Sequence, residues 1–116
     1  MRHCISDESF NNTGFAYTWT LIKGKYKVRV LYALMEFEVV RYGEMKRYID
    51  PISHKMLSST LRELETDGLI HRHDYNQLPF KVEYSPTPRG QSLIPLLDLM
   101  CQWGDDHRHD EPRDIT

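Results

Sequence analysis

The chain has 116 residues, 40% of them hydrophobic and 28% charged, which suits one folded domain and not two. No apolar run approaches the roughly 20 residues of a membrane span, and residues 1–12 are too polar for a signal peptide, so the cytoplasm is the expected compartment. The formal net charge of −2 excludes a uniformly basic protein, but the charge is uneven: residues 23–81 carry +3 and residues 98–116 carry −4.

Residues 1–14 show no apolar periodicity and are expected to form a loose arm. Residues 15–22 are short and aromatic, with Phe15, Tyr17 and Trp19, and read as a helix broken by Lys23-Gly24-Lys25. Residues 26–36 follow as a helix with Val28, Leu31, Tyr32 and Met35 on one face; Ala33 and Leu34 widen that face, as in a helix buried on more than one side. Val39, Val40 and Tyr42 suggest a brief strand. Residues 43–49 are a second amphipathic helix, with Met45, Tyr48 and Ile49 inward and Lys46 and Arg47 outward. Asp50-Pro51 ends it, because proline disfavours helical backbone in the residue before it.

Ser53 then supplies an N-cap, and Leu57, Leu61 and Leu64 repeat at helical spacing until Gly68. Helix, short turn, helix is the outline of a helix-turn-helix. Residues 69–74 and 81–85 read as two strands joined by turn residues, a hairpin or wing directly behind the second helix. Thr87-Pro88 is an N-cap followed by proline at the first helical position. That last helix is expected to run to about Trp103, bend at Pro95 and stop at Gly104. Residues 105–116 are charged and are expected to be a disordered acidic tail. The folded domain is thus expected over residues 15–104.

The outer face of the helix after Ser53 carries the chemistry. His54, Lys55, Ser58, Ser59 and Arg62 are short, hydroxylated or basic, and no Asp or Glu precedes Glu63. Hydroxyls and cations of this kind meet phosphates and base edges in a DNA groove; the same face also suits plain solvent. In the DNA reading, Ser53 and Lys55 hold phosphate at the helix N-terminus, and Arg62 or Lys55 reads guanine. Lys46 and Arg47 touch the backbone, while Asn76, Gln77 and Lys81 bring the wing to a minor groove. Large apolar residues at both chain ends exceed what one small domain can bury. Phe15, Trp19, Leu93, Leu97, Met100 and Trp103 are therefore candidates for a subunit interface, against the alternative of intradomain core.

Other chemistry is thin. The two cysteines, Cys4 and Cys101, are far apart and read as reduced thiols. Cys4, beside Arg2 and His3, is a redox candidate; Cys101 reads as a small buried hydrophobe. His71-Arg72-His73 and His107-Arg108-His109 repeat a His-x-His pattern, but no set of ligands completes a metal site in sequence. No nucleophile elbow, phosphate-binding glycine loop or HExxH is present, so neither an enzyme nor a cofactor is expected.

Four stretches carry a family resemblance: LIKGKYK (residues 21–27), ISHKMLSSTLRELETDGLI (residues 52–70), KVEYSPTPRG (residues 81–90) and LLDLMCQWG (residues 96–104). Their order and spacing resemble the HxlR-type bacterial transcriptional regulators, which share an architecture with the MarR group. The resemblance covers roughly residues 17–104. It implies a mainly α, α+β winged helix-turn-helix with N- and C-terminal dimerisation helices. It also implies a homodimer on double-stranded DNA at a pseudo-palindromic operator. Several such regulators answer to small molecules or electrophiles through a cysteine just before the first helix, a position that corresponds here to Thr13-Gly14, with Cys4 nine residues earlier. A protein-interaction module on the same scaffold, without specific DNA binding, is the alternative.

Overall fold

The computed structural model describes residues 9–110. A 3-10 turn at Phe10–Asn12 leads into Thr13, whose hydroxyl accepts the Ala16 N–H at 3.1 Å and caps α1 (Gly14–Ile22). Then come α2 (Lys27–Phe37), the two-residue β1 (Val40–Arg41), α3 (Tyr42–Tyr48) and α4 (His54–Thr66). The antiparallel pair β2 (Ile70–Asp74) and β3 (Val82–Pro86) follows, then α5 (Pro88–His107) and a 3-10 turn at Arg108–Asp110. Strand order is β1-β3-β2. Val40 faces Tyr84 across the β1–β3 pair, and Ile70 through Asp74 run antiparallel against Pro86 through Val82.

Local signals set the boundaries of α4. The Ser53 hydroxyl accepts the Met56 N–H at 3.0 Å, satisfying one of the four N–H groups a helix leaves unpaired. At the other end Gly68 adopts φ +75°. That left-handed turn lets the Gly68 N–H reach the Glu65 carbonyl (3.0 Å) and the Leu69 N–H reach the Leu64 carbonyl (2.9 Å), a Schellman ending that favours glycine. Tyr42, expected in a strand, instead opens α3, and the Arg41 N–H donates to Glu44 Oε1 at 2.9 Å at that start.

The core gathers one stripe from every helix. Val30, Leu31 and Leu34 of α2, Met45 of α3, Leu57, Leu61 and Leu64 of α4 and Ile94 and Leu97 of α5 are buried with Leu69, Ile70 and Tyr84. Lys27, itself buried, pairs with Glu63 at 3.2 Å and ties α2 to α4.

The C-terminal end departs from expectation. Gly104 does not stop α5, which continues to His107, and residues 105–110, expected to be disordered, are helical or 3-10. Glycine inside a helix costs only about 1 kcal/mol relative to alanine. Here side-chain contacts one turn apart carry the helix past it: Gln102 to Asp106 (2.8 Å), His107 Nδ1 to the Trp103 carbonyl (2.8 Å) and stacking of His107 on Trp103. Residues 1–8 and 111–116 lie outside the described residues.

Candidate nucleic-acid interface

Because Leu57, Leu61 and Leu64 are buried, the opposite side of α4 must face outward. His54, Lys55 and Arg62 are exposed there, and Ser58 and Ser59 are half-buried at its margin. The Ser53 hydroxyl is engaged as the cap, so its first role is structural. Its backbone still begins a helix whose N-terminal dipole favours anions.

Tyr42 arranges this face, and sequence reasoning missed it. Its ring stacks on His54 (centroids 5.9 Å apart, planes 6° apart). Its hydroxyl lies 3.2 Å from His54 Nδ1 and 3.0 Å from Ser58 Oγ, and it donates to the His54 carbonyl at 3.2 Å. One side chain of α3 thus holds two candidate contact residues of α4. The only warning in sequence was a tyrosine at the start of an amphipathic helix, a weak signal. On α3 itself Arg47 is exposed and Lys46 half-buried.

Between α4 and the hairpin lies a cleft of about 480 Å³ lined by Tyr42, Ser58, Leu61, Arg62, Glu65, Arg72, Val82 and Tyr84. Arg62 and Arg72 bring guanidinium groups from helix and strand to its walls, and Arg72 was not among the expected contacts. Burial pushes the Tyr84 phenol above its ordinary pKa while Arg72 pulls the other way, so its hydroxyl stays a neutral hydrogen-bonding group.

The hairpin is braced up to its tip. The Tyr75 N–H donates to the Lys81 carbonyl (3.0 Å), and the Lys81 ammonium sits over the Tyr75 ring at 4.3 Å. Asn76 adopts φ +52°, a conformation asparagine tolerates, and its N–H donates to Asp74 Oδ1 at 2.8 Å. Asn76 and Gln77 are exposed and Lys81 is half-buried at the base of the tip. Leu78 and Phe80, which entered no expectation, are each 82% exposed.

The candidate interface residues divide. Phe15, Trp19, Met100 and Trp103 are exposed, with Phe15 and Trp19 stacked at 6.4 Å. Leu97 is only 4% exposed: it belongs to the intradomain core, which corrects its assignment to a subunit contact. Leu93 is partly buried against the same core. Leu96 and Leu99 are exposed beside Met100 and extend the apolar face. Cys101, expected to be buried, is exposed: it follows Leu97 by one turn on the same side of α5, but the buried residues of that helix end at Leu97; its thiol points to Asp105 Oδ2 at 3.9 Å. Cys4 lies outside the described residues. His71 and His73 stand 6.4 Å apart and His73 packs edge-on against Tyr75. Among the described residues no group of three or more His, Cys, Asp or Glu side chains could hold a metal ion, and no helix is long and apolar enough to cross a membrane.

The profile of the HxlR-like helix-turn-helix family matches residues 21–112. The chain belongs to that family. It is 57% identical over 90 residues to the HTH-type transcriptional regulator YdzF of Bacillus subtilis, covering 78% of this chain and 83% of YdzF. It is 46% identical over 97 residues to the regulator BH0655 of Halalkalibacterium halodurans, covering 84% and 86%. Among solved structures, the redox regulator HypR in its reduced form superposes with a TM-score of 0.77 at 38% identity, over 83% of this chain and 94% of that one. The HTH-type regulator YtcD gives 0.78 at 41% identity, over 84% and 98%. This HxlR-like chain is therefore a transcriptional regulator of the helix-turn-helix type with a winged-helix fold: α3 and α4 are the helix-turn-helix and the β2–β3 hairpin is the wing.

Proposed function

We propose that the protein binds duplex DNA as a homodimer, placing one α4 of each subunit in a major groove of a pseudo-palindromic operator. The observation that carries this reading is the outer face of α4. It presents His54, Lys55, Ser58, Ser59 and Arg62 with no carboxylate before Glu63, held by Tyr42 and flanked by Arg72 of the wing. A face of solvated polar residues has no need of such bracing. Lys46 and Arg47 contact the sugar-phosphate backbone, and Asn76, Gln77 and Lys81 reach the flanking minor groove. Pairing runs through Phe15 and Trp19 of α1 and Leu96, Leu99, Met100 and Trp103 of α5, whose exposed apolar groups need a cover.

Selection of duplexes from a random pool, followed by titration at several salt concentrations, tests the reading. With about six to ten phosphate contacts, affinity falls by about 10³–10⁵ between 50 and 200 mM salt. Absence of binding at low salt overturns it in favour of a protein-interaction module on the same scaffold. Thr13, which stands where the resemblance sets the family's sensing cysteine, carries no thiol and caps α1. An apolar recess of about 430 Å³ between α1, α2 and α5, lined in part by Trp19, Tyr32, Leu97 and Met100, is the better place for a small-molecule effector.

A further inference from the structure

We propose that the wing tip is a wedge: Leu78 and Phe80 enter the minor groove beside the operator half-site, part a base-pair step and bend the duplex. This rests on the DNA-binding reading above and adds a mode of recognition to it. The two side chains are each 82% exposed, more than any other large apolar group among the described residues, and Pro79 separates them. The hairpin that carries them is not loose. The Tyr75–Lys81 backbone bond closes it, the Asp74–Asn76 contact shapes its turn, and the edge-on packing of His73 on Tyr75 stiffens one strand.

Charge favours a nucleic-acid occupant. Residues 75–81 carry one charged side chain, Lys81. The carboxylates nearest the tip are both engaged: Asp74 by Arg72 at 3.6 Å and the Asn76 N–H, and Glu83 by the Tyr75 hydroxyl at 2.5 Å. Size argues the same way. A stable protein interface takes about 800 Å² from each partner, whereas two apolar side chains offer roughly 400 Å² at most. Parting a base step needs only one or two apolar side chains, and leucine, phenylalanine and proline are among those that do it. Unstacking costs least at flexible pyrimidine–purine steps, so the wedge makes such a step part of the preferred site without any base-edge hydrogen bond.

The test uses the full chain and duplexes it retains from a random pool, end-labelled for energy transfer, with 2-aminopurine placed under the wing. The wild type should shorten the end-to-end distance and raise the 2-aminopurine fluorescence. The double variant Leu78→Ser, Phe80→Ser should bind about tenfold more weakly, leave the duplex straight and melt like the wild type. A straight duplex under the wild type, or an equal bend with the variant, overturns the wedge while leaving DNA binding intact. Retention of no duplex overturns the DNA reading and the wedge together. Loss of concentration-dependent self-association in the variant assigns the tip to a second copy and overturns the wedge as well.

Discussion

Arg62 and Tyr42 act differently on the same surface. Arg62 is exposed on the outer face of α4, on the wall of the cleft toward the wing. If it reads a base bidentately, Arg62→Ala should cost about 1–3 kcal/mol of operator binding, about fivefold or more in a salt-controlled titration, with an unchanged melting curve. Tyr42→Phe keeps the ring against His54 but removes the hydroxyl shared with His54 and Ser58. It should weaken binding less than Arg62→Ala, through looser placement of His54 and Ser58. Ser53→Ala removes the cap of α4 and should lower stability by about 1 kcal/mol, or about 4–8 °C in melting temperature for a domain of this size. Tyr32 gives a pH signature. Burial, reinforced by the hydrogen bond to Asp98 at 3.0 Å, pushes its phenol from 10.0 up to about 12. The folded state thus keeps a proton that the unfolded chain gives up near pH 10. Its stabilising effect is complete below pH 10 and is lost as the pH rises toward 12. Denaturant melts at about pH 9 and about pH 11 should show a smaller alkaline loss for Tyr32→Phe than for the wild type.

At the scale of elements, sequence signals worked where they were local. The cap at Ser53, the Leu57–Leu61–Leu64 stripe and the stop at Gly68 all act within a turn or two, so α4 could be read directly. Gly104 shows the limit of such signals. A glycine ends a helix where the chain needs a left-handed residue, as Gly68 does at φ +75°, and no such demand arises at Gly104. In α5 the apolar residues go almost all the way round, so periodicity alone could not choose the core side. Leu97 is buried while Cys101, one turn further along the same side, is exposed, because the buried part of α5 ends at Leu97. The bracing by Tyr42 and the position of Arg72 in the cleft were equally out of reach, because they join residues far apart in sequence. Gly90, in the first turn of α5, carries the sharpest prediction at this scale. A Cβ there would lie 2.0 Å from the Leu69 carbonyl oxygen, a backbone atom that cannot swing aside. Gly90→Ala should therefore cost more than about 3 kcal/mol, a large value for one methyl group, visible as a fall in the denaturation midpoint.

For the whole molecule, the exposed apolar residues of α5 bear on pairing. Trp103 is 65% and Leu99 69% exposed, and both lie on the same helix as exposed Leu96 and Met100. Trp103→Ala together with Leu99→Ser should shift sedimentation from dimer to monomer at micromolar concentration while the thermal melt of the domain itself changes little. Two α4 helices reading successive major grooves must stand about 34 Å apart. A spin label in place of exposed Met56, which is outside the proposed contacts, on each subunit should report a separation near that value when DNA is bound.

The first turn of α5 is joined to the base of the wing at three points. Thr87 Oγ1 donates to the Gly68 carbonyl at 2.6 Å, Arg89 Nε donates to the Asp67 carbonyl at 3.0 Å, and Gly90 lies flush against Leu69. Arg89 also bonds the Tyr17 hydroxyl, bringing α1 into the same joint. Such a joint behaves as a fulcrum. From Pro88 to Trp103 the helical rise is about 22 Å, so a tilt of about 5° about that end moves Trp103 by roughly 2 Å. Read in reverse, a displacement of a few ångströms where two subunits would meet is geared down to a small, stiff rotation of wing and α4 together. A groove reader has reason to be built this way, because its contacts must shift in concert or not at all.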